Sequence, residues 1–284
     1  MFADQQATLF TADGLRISAS HDSASHDSAS HIRAAQAAGP DPGQRLAFVV
    51  AHGFTGGWRQ ERVRKIVTWL REFGGVVSLD MRGHGRSGGW STLGMDEVHD
   101  VAAAVRWARD LGYQQVVSVG FSMGGSVVVR EAALHREARE RVDAVVSVSG
   151  TAFWYYRGTP VMRLVHRLVE TQAGRAAMRT RGVKIGASPW PTPPPIAPVE
   201  AAAKLGEIPL LVVHGTIDRY FPVEHAHALY RAAIEGGSTQ SEEWIIDGFG
   251  HAESAIDRQT VDDIGRWAVK RCESEDRATS GDQA

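Results

Sequence analysis

The chain has a single cysteine, Cys272, among 284 residues. No disulfide can close within it, so the fold must rest on its core, and a reducing compartment is expected. No apolar run approaches the roughly 18 residues that a membrane-spanning helix needs. The formal net charge is only -2, which removes the electrostatic ground for binding nucleic acid or an anionic membrane surface. Met1-Phe2-Ala3-Asp4-Gln5-Gln6 is not a basic segment followed by an apolar one, and no signal peptide is expected. Together these absences lead to the expectation of a cytoplasmic protein without stable membrane insertion. None of them bears on oligomeric state.

What is present is alternation. After residue 45, apolar strand-like runs alternate with segments of helical spacing, which argues for an α/β fold with a mostly parallel sheet. The expected strands are Leu46–Ala51, Gly75–Asp80, Gln115–Gly120, Ala144–Val148, Pro209–His214 and Glu242–Ile246. Most are continuous Val, Ile and Leu, as in strands covered on both faces. Helices are expected over roughly 59–72, 96–111, 122–137, 223–235 and 253–271. Asp13-Gly14, between Ala7–Thr11 and Leu15–Ser18, signals a hairpin.

Three segments stand outside this rhythm. Ser18–His31 reads SASHD-SASHD-SASH and is expected to be a flexible loop, too polar and short to bury anything. Its histidines His21, His26 and His31 recur every five residues, a spacing that matches neither a helix face nor a strand face, so a solvated repeat is expected rather than a metal site. The stretch 151–206 interrupts the core, taken as 1–150 and 207–272. It carries Phe153-Trp154-Tyr155-Tyr156 and the proline-rich run 188–195, and is expected to cap a pocket. Trp154, Tyr155 and Tyr156 are its candidate substrate-binding residues. Residues 273–284 are polar and expected to be disordered.

The chemistry gathers around Ser122. It stands in Gly120-Phe121-Ser122-Met123-Gly124-Gly125, after an apolar run and before a helical one. A G-x-S-x-G in strand–turn–helix context is a nucleophile elbow. A serine hydroxyl needs a base, and the base needs an orienting acid. His214-Gly215-Thr216-Ile217-Asp218 places Asp218 after a late strand, and Gly248-Phe249-Gly250-His251 places His251 after the last one. Asp247 and Glu253 lie near the histidine as rival acids. Two backbone N–H groups would complete an oxyanion hole: Met123, directly after the serine, and Phe54, in the loop His52-Gly53-Phe54-Thr55-Gly56. His52 and His214 read as loop-shaping residues, Asp80–Ser87 as a charged loop tie, and His225 and His227 as surface residues of a helix.

These motifs, spread over roughly residues 46–270, resemble the serine esterases of the α/β-hydrolase fold superfamily. The H-G-F-T-G loop and the cap are similar to small carboxylesterases and cinnamoyl esterases, and the S-M-G-G elbow to monoacylglycerol lipases. The resemblance implies an eight-stranded, mostly parallel sheet with helices on both faces and a small helical cap. It further implies an acyl-enzyme on Ser122, no cofactor and no metal. The expected substrate is a small-molecule ester with a small to medium apolar or aromatic acyl group. Perhydrolysis, acyl transfer and carbon–carbon bond hydrolysis use the same triad and remain alternatives, as does a non-catalytic binding protein that keeps the pocket.

Overall fold

Each of the six Val-, Ile- and Leu-rich runs forms a strand close to its expected bounds. In the computed structural model, which describes residues 4–25, 45–187 and 190–281, these are β3 (Leu46–Ala51), β4 (Gly75–Leu79), β5 (Gln115–Phe121), β6 (Ala144–Val148), β7 (Leu210–Gly215) and β8 (Glu242–Ile246). The hairpin supplies β1 (Gln5–Phe10) and β2 (Arg16–Asp22), with Gly14 at a φ of 81° in its turn. One eight-stranded sheet results, in the order β1-β2-β4-β3-β5-β6-β7-β8. β1 and β2 are antiparallel to their neighbours, and every other pairing is parallel.

Alternation along the strands divides the core in two. In β3, Ala47, Val49 and Ala51 face one layer, while Leu46, Phe48 and Val50 face the other. The first layer holds α2 (Val98–Asp110), α3 (Met123–Leu134), the short α6 (Pro198–Ala202) and α7 (Glu224–Glu235). The second holds α1 (Glu61–Leu70) and α8 (Arg258–Gly281). α1 buries Val63, Ile66, Val67 and Leu70, one helical stripe. Parallel strands need this cover on both faces.

The SASHD repeat departs from expectation. Its first five residues are not a loop but five of the seven residues of β2, paired to β1 on one side and β4 on the other. Polarity misleads here because each polar group finds a partner. Asp22 takes a two-pronged contact from Arg64 at 2.7 and 2.8 Å, and His21 Nε2 lies 2.8 Å from the buried Tyr113 hydroxyl. A strand with both edges paired also satisfies its whole backbone. His26 and His31 lie outside the described residues. Of the expected disordered tail 273–284, the part to Gly281 is instead a continuation of α8, and 282–284 lie outside the described residues.

Between β6 and β7 the chain forms α4 (Pro160–Glu170) and α5 (Gln172–Thr180). With Val183 and Ile185 they build a small apolar cluster of their own, which also holds Phe54, Leu93 and Trp190. α6, assigned to the cap by sequence, packs against α3 and α7 in the core layer instead. The insertion that stands apart therefore ends before Pro198.

Candidate active site

The turn from β5 into α3 is forced. Ser122 has φ 52° and ψ -115°, outside the regions an L-residue prefers. A Cβ on Gly120 would strike the Gly124 carbonyl, and one on Gly124 would strike the Ala51 carbonyl. Only glycine fits at either position. The turn lifts Ser122 Oγ toward His251, whose Nε2 lies 2.8 Å away. His251 Nδ1 lies 2.6 Å from Asp218 Oδ2. The other Asp218 oxygen accepts the Tyr220 N–H at 2.7 Å and the Phe221 N–H at 3.2 Å. Burial alone would raise the Asp218 pKa. The hydrogen bond and charge of His251, with those two N–H groups, outweigh it and hold the carboxyl below its ordinary range. Asp218 is thus an anion that fixes the proton of His251 on Nδ1 and leaves Nε2 free to accept from Ser122. Tyr220 stacks on the imidazole, centroids 4.1 Å apart.

The loop after β3 is set by His52. Its Nδ1–H donates to Gly53 O at 2.7 Å, and its Nε2 accepts the Met81 N–H at 3.0 Å. Burial, reinforced by neighbouring His84, lowers its pKa to about 3, so the ring is neutral and its tautomer is set by these two bonds. Gly53 N–H is occupied by Glu253 Oε1 at 2.5 Å. The next N–H, that of Phe54, makes no hydrogen bond to another described residue. Met123 opens α3 and so has no intrahelical acceptor. Both residues line the same cavity as Ser122 and His251.

That cavity measures about 580 Å³. Its floor is the sheet edge and its roof is α4 and α5, which contribute Val161, Val165, Leu168 and Met178. Trp154, Tyr155 and Tyr156 all line it, and each is pinned. Trp154 Nε1 donates to Pro195 O at 2.8 Å and its ring lies 5.1 Å from the Arg130 guanidinium. Arg130 is buried, and binds the carbonyls of Gly94, Met95 and Ile196 at 2.7 to 2.9 Å. Tyr155 meets Trp190 edge-on at 5.1 Å, and Tyr156 meets His225 edge-on at 4.4 Å.

Residues 47–187 match the family model described as the alpha/beta hydrolase fold. The chain has the α/β-hydrolase fold. Among curated relatives it is 26% identical over 206 residues to the uncharacterized protein YfhR of Escherichia coli (strain K12), covering 70% of this chain and 62% of that protein. Among solved structures it is similar to the Pyrococcus furiosus esterase Pf2001, with TM-score 0.68 and 20% identity over 94% of this chain and 90% of that one. It is also similar to Est1E from Butyrivibrio proteoclasticus with ferulic acid bound, with TM-score 0.60 and 21% identity over 96% and 100% of the two chains. At such identities the likeness is one of fold.

Within this fold the sequence-predicted Ser122, Asp218 and His251 meet at hydrogen-bond distance. The rival acids are engaged elsewhere: Asp247 accepts from Thr216 at 3.0 Å, and Glu253 holds Gly53. His214 Nε2 donates to Phe221 O at 3.0 Å and so braces the Asp218 loop. His225 is not a surface residue as expected. It is buried and accepts the Ala152 N–H at 3.1 Å, which joins α7 to the start of the segment after β6. Burial, with the nearby His214, lowers its pKa to about 4. Sequence reasoning also passed over Tyr220 and Arg130. Tyr220 stands two residues after Asp218, a position that could have signalled it. Arg130 lies mid-helix, and nothing local distinguishes it from a solvated arginine. Among the described residues no cluster of side chains suits a metal ion, and no helix is long and apolar enough to cross a membrane.

Proposed function

We propose that this protein is a serine hydrolase of the carboxylesterase type, acting on esters with a small to medium apolar or aromatic acyl group. The observation that carries the reading is His251, within 2.8 Å of Ser122 Oγ on one side and 2.6 Å of Asp218 on the other. In the proposed cycle His251 Nε2 removes the Ser122 proton as Oγ attacks the ester carbonyl. The N–H groups of Phe54 and Met123 receive the oxyanion. His251 then protonates the leaving alcohol, and an acyl group remains on Ser122. A water deprotonated by the same nitrogen attacks the acyl carbon, and the acid departs. Asp218 stays ionised throughout and stabilises the imidazolium. The size and apolar roof of the cavity support the substrate class, with Trp154, Tyr155 and Tyr156 as the rings that contact it.

The test is hydrolysis of p-nitrophenyl esters from acetate to dodecanoate by wild type and Ser122→Ala, with fluorophosphonate labelling of both. Wild type should turn over and label. The variant should lose about 10⁴-fold or more in kcat and not label. A variant that retains wild-type turnover would overturn the assignment of the nucleophile.

A further inference from the structure

Glu253 is a carboxylate of the cavity wall that this chemistry does not use. Glu253 lies two residues beyond His251, in the turn Ala252–Ser254, and its side chain reaches back over the loop after β3. The point that a Gly53 Cβ would occupy lies 3.1 and 3.2 Å from the two Glu253 carboxylate oxygens and 3.2 Å from Ser122 Cβ. The carboxylate and Ser122 thus flank the same point beside Gly53, and both line the cavity with His251. Oε1 accepts the Gly53 N–H. The residue's own backbone N–H also leans on the carboxylate, but no hydrogen bond or ion pair from another described residue reaches Oε2.

A carboxylate in this place is not explained by support of the loop alone. Gly53 N–H needs one neutral acceptor, which an amide would supply. An anion next to a developing oxyanion opposes it by Coulomb repulsion, and more strongly in a water-poor cavity. Burial raises the Glu253 pKa, against the pull of Gly53 N–H and the charges of His251 and Arg62. In either protonation state the group awaits a partner. A donor on the substrate would occupy Oε2 and offset the repulsion.

We infer that Glu253 is a specificity-determining residue, whose Oε2 accepts a hydrogen bond from a hydroxyl or amine that the substrate carries close to the scissile carbonyl. This rests on the ester-hydrolase reading above. It narrows the substrate class from apolar esters in general to esters with one polar donor near the reacting bond and an apolar remainder under the cap. The cap supplies bulk recognition, and Glu253 discriminates between esters of equal size.

Two isosteric pairs test it. On the acyl side, p-nitrophenyl 3-hydroxypropanoate is compared with p-nitrophenyl butanoate. On the alcohol side, 2-hydroxyethyl butanoate is compared with propyl butanoate. Within each pair a hydroxyl replaces a methyl group, and the readout is the ratio of kcat/KM, which cancels any loss common to both. Wild type should favour the hydroxyl member of at least one pair by about tenfold. In Glu253→Ala that ratio should fall to near unity. Glu253→Gln keeps the side-chain length and an acceptor for Gly53, and should weaken the ratio at least about threefold, which covers failure of the alanine variant to fold. Absence of a preference in wild type, or a ratio untouched by both substitutions, would overturn the inference and leave Glu253 as a brace for the loop. Failure of wild type to label with a fluorophosphonate would instead point to the ester-hydrolase reading itself.

Discussion

Ser122 is held at φ 52° in a conformation that suits glycine, at a cost of about 1–3 kcal/mol. Removing the Cβ should return part of that energy. Ser122→Gly is expected to be more stable than Ser122→Ala by about 1 kcal/mol, measured by urea unfolding, with both inactive. Equal stabilities would mean that the turn is not strained at this residue. Glu131 presents a different tension. It is fully buried in α3, and neither carboxylate oxygen has a hydrogen-bond partner among the described residues. Burial, with a smaller push from Glu140 against Arg106, raises its pKa well above 4.5. An acid whose pKa is raised by folding contributes most below its unfolded value and loses that contribution as pH climbs past it. Glu131→Met should therefore stabilise the fold at pH 8 by about 1–3 kcal/mol, and by less at pH 5. Denaturant titrations at the two pH values would show a gap that widens upward. A gap that narrows would sink this account.

At the scale of elements, β2 joins the hairpin to the main sheet. It is the only strand between β1 and β4 in the order, and it carries the buried His21 and Asp22. Deleting residues 18–22 should abolish cooperative unfolding and leave the chain aggregated or exposed to protease. A deletion variant that keeps its melting transition would show that β2 is dispensable. How well elements could be read from sequence depended on their cover. The continuous apolar runs of β3 to β7 announced strands buried on both faces. β2 did not, because its low-complexity polar residues are satisfied by Arg64 and Tyr113, 42 and 92 residues away. α6 misled for a related reason. Pro198 begins a short helix, but whether it joins cap or core depends on α3 and α7, which no local pattern encodes.

For the molecule as a whole, the cavity is a property of two units together. The sheet edge supplies Ser122 and His251, and α4 and α5 supply the roof. The roof is tied down by Trp154 on Arg130 and by the cluster in which Glu170 Oε1 accepts from His166 at 3.0 Å and Trp190 at 2.8 Å. Met178 is buried in that roof and part of the cavity wall, so on the proposed reading it limits the room for an acyl chain. Met178→Ala should move the optimum of the p-nitrophenyl ester series toward acyl chains longer by about two carbons, since it frees the volume of about three heavy atoms. An unchanged chain-length profile would place the acyl group elsewhere. Trp154→Ala, which also uncovers Arg130, should broaden the profile rather than shift it.

The layered α/β architecture, the elbow and the chain order of serine, acid and histidine are legible in the order of residues alone. These are local matters: a two-residue or 3.6-residue period, glycines where a side chain would collide, and polar residues at strand ends. Which acid meets His251 is fixed by folding. Asp247 and Glu253 are near it in the chain and Asp218 is 33 residues away, but backbone N–H groups and His251 converge on Asp218. Thr216 takes Asp247 and Gly53 takes Glu253. The fate of Glu253 rests on a contact across 200 residues, and His225 and His21 meet partners 73 and 92 residues away. Long-range contacts of this kind carry no period and no motif, so the fold alone reveals them.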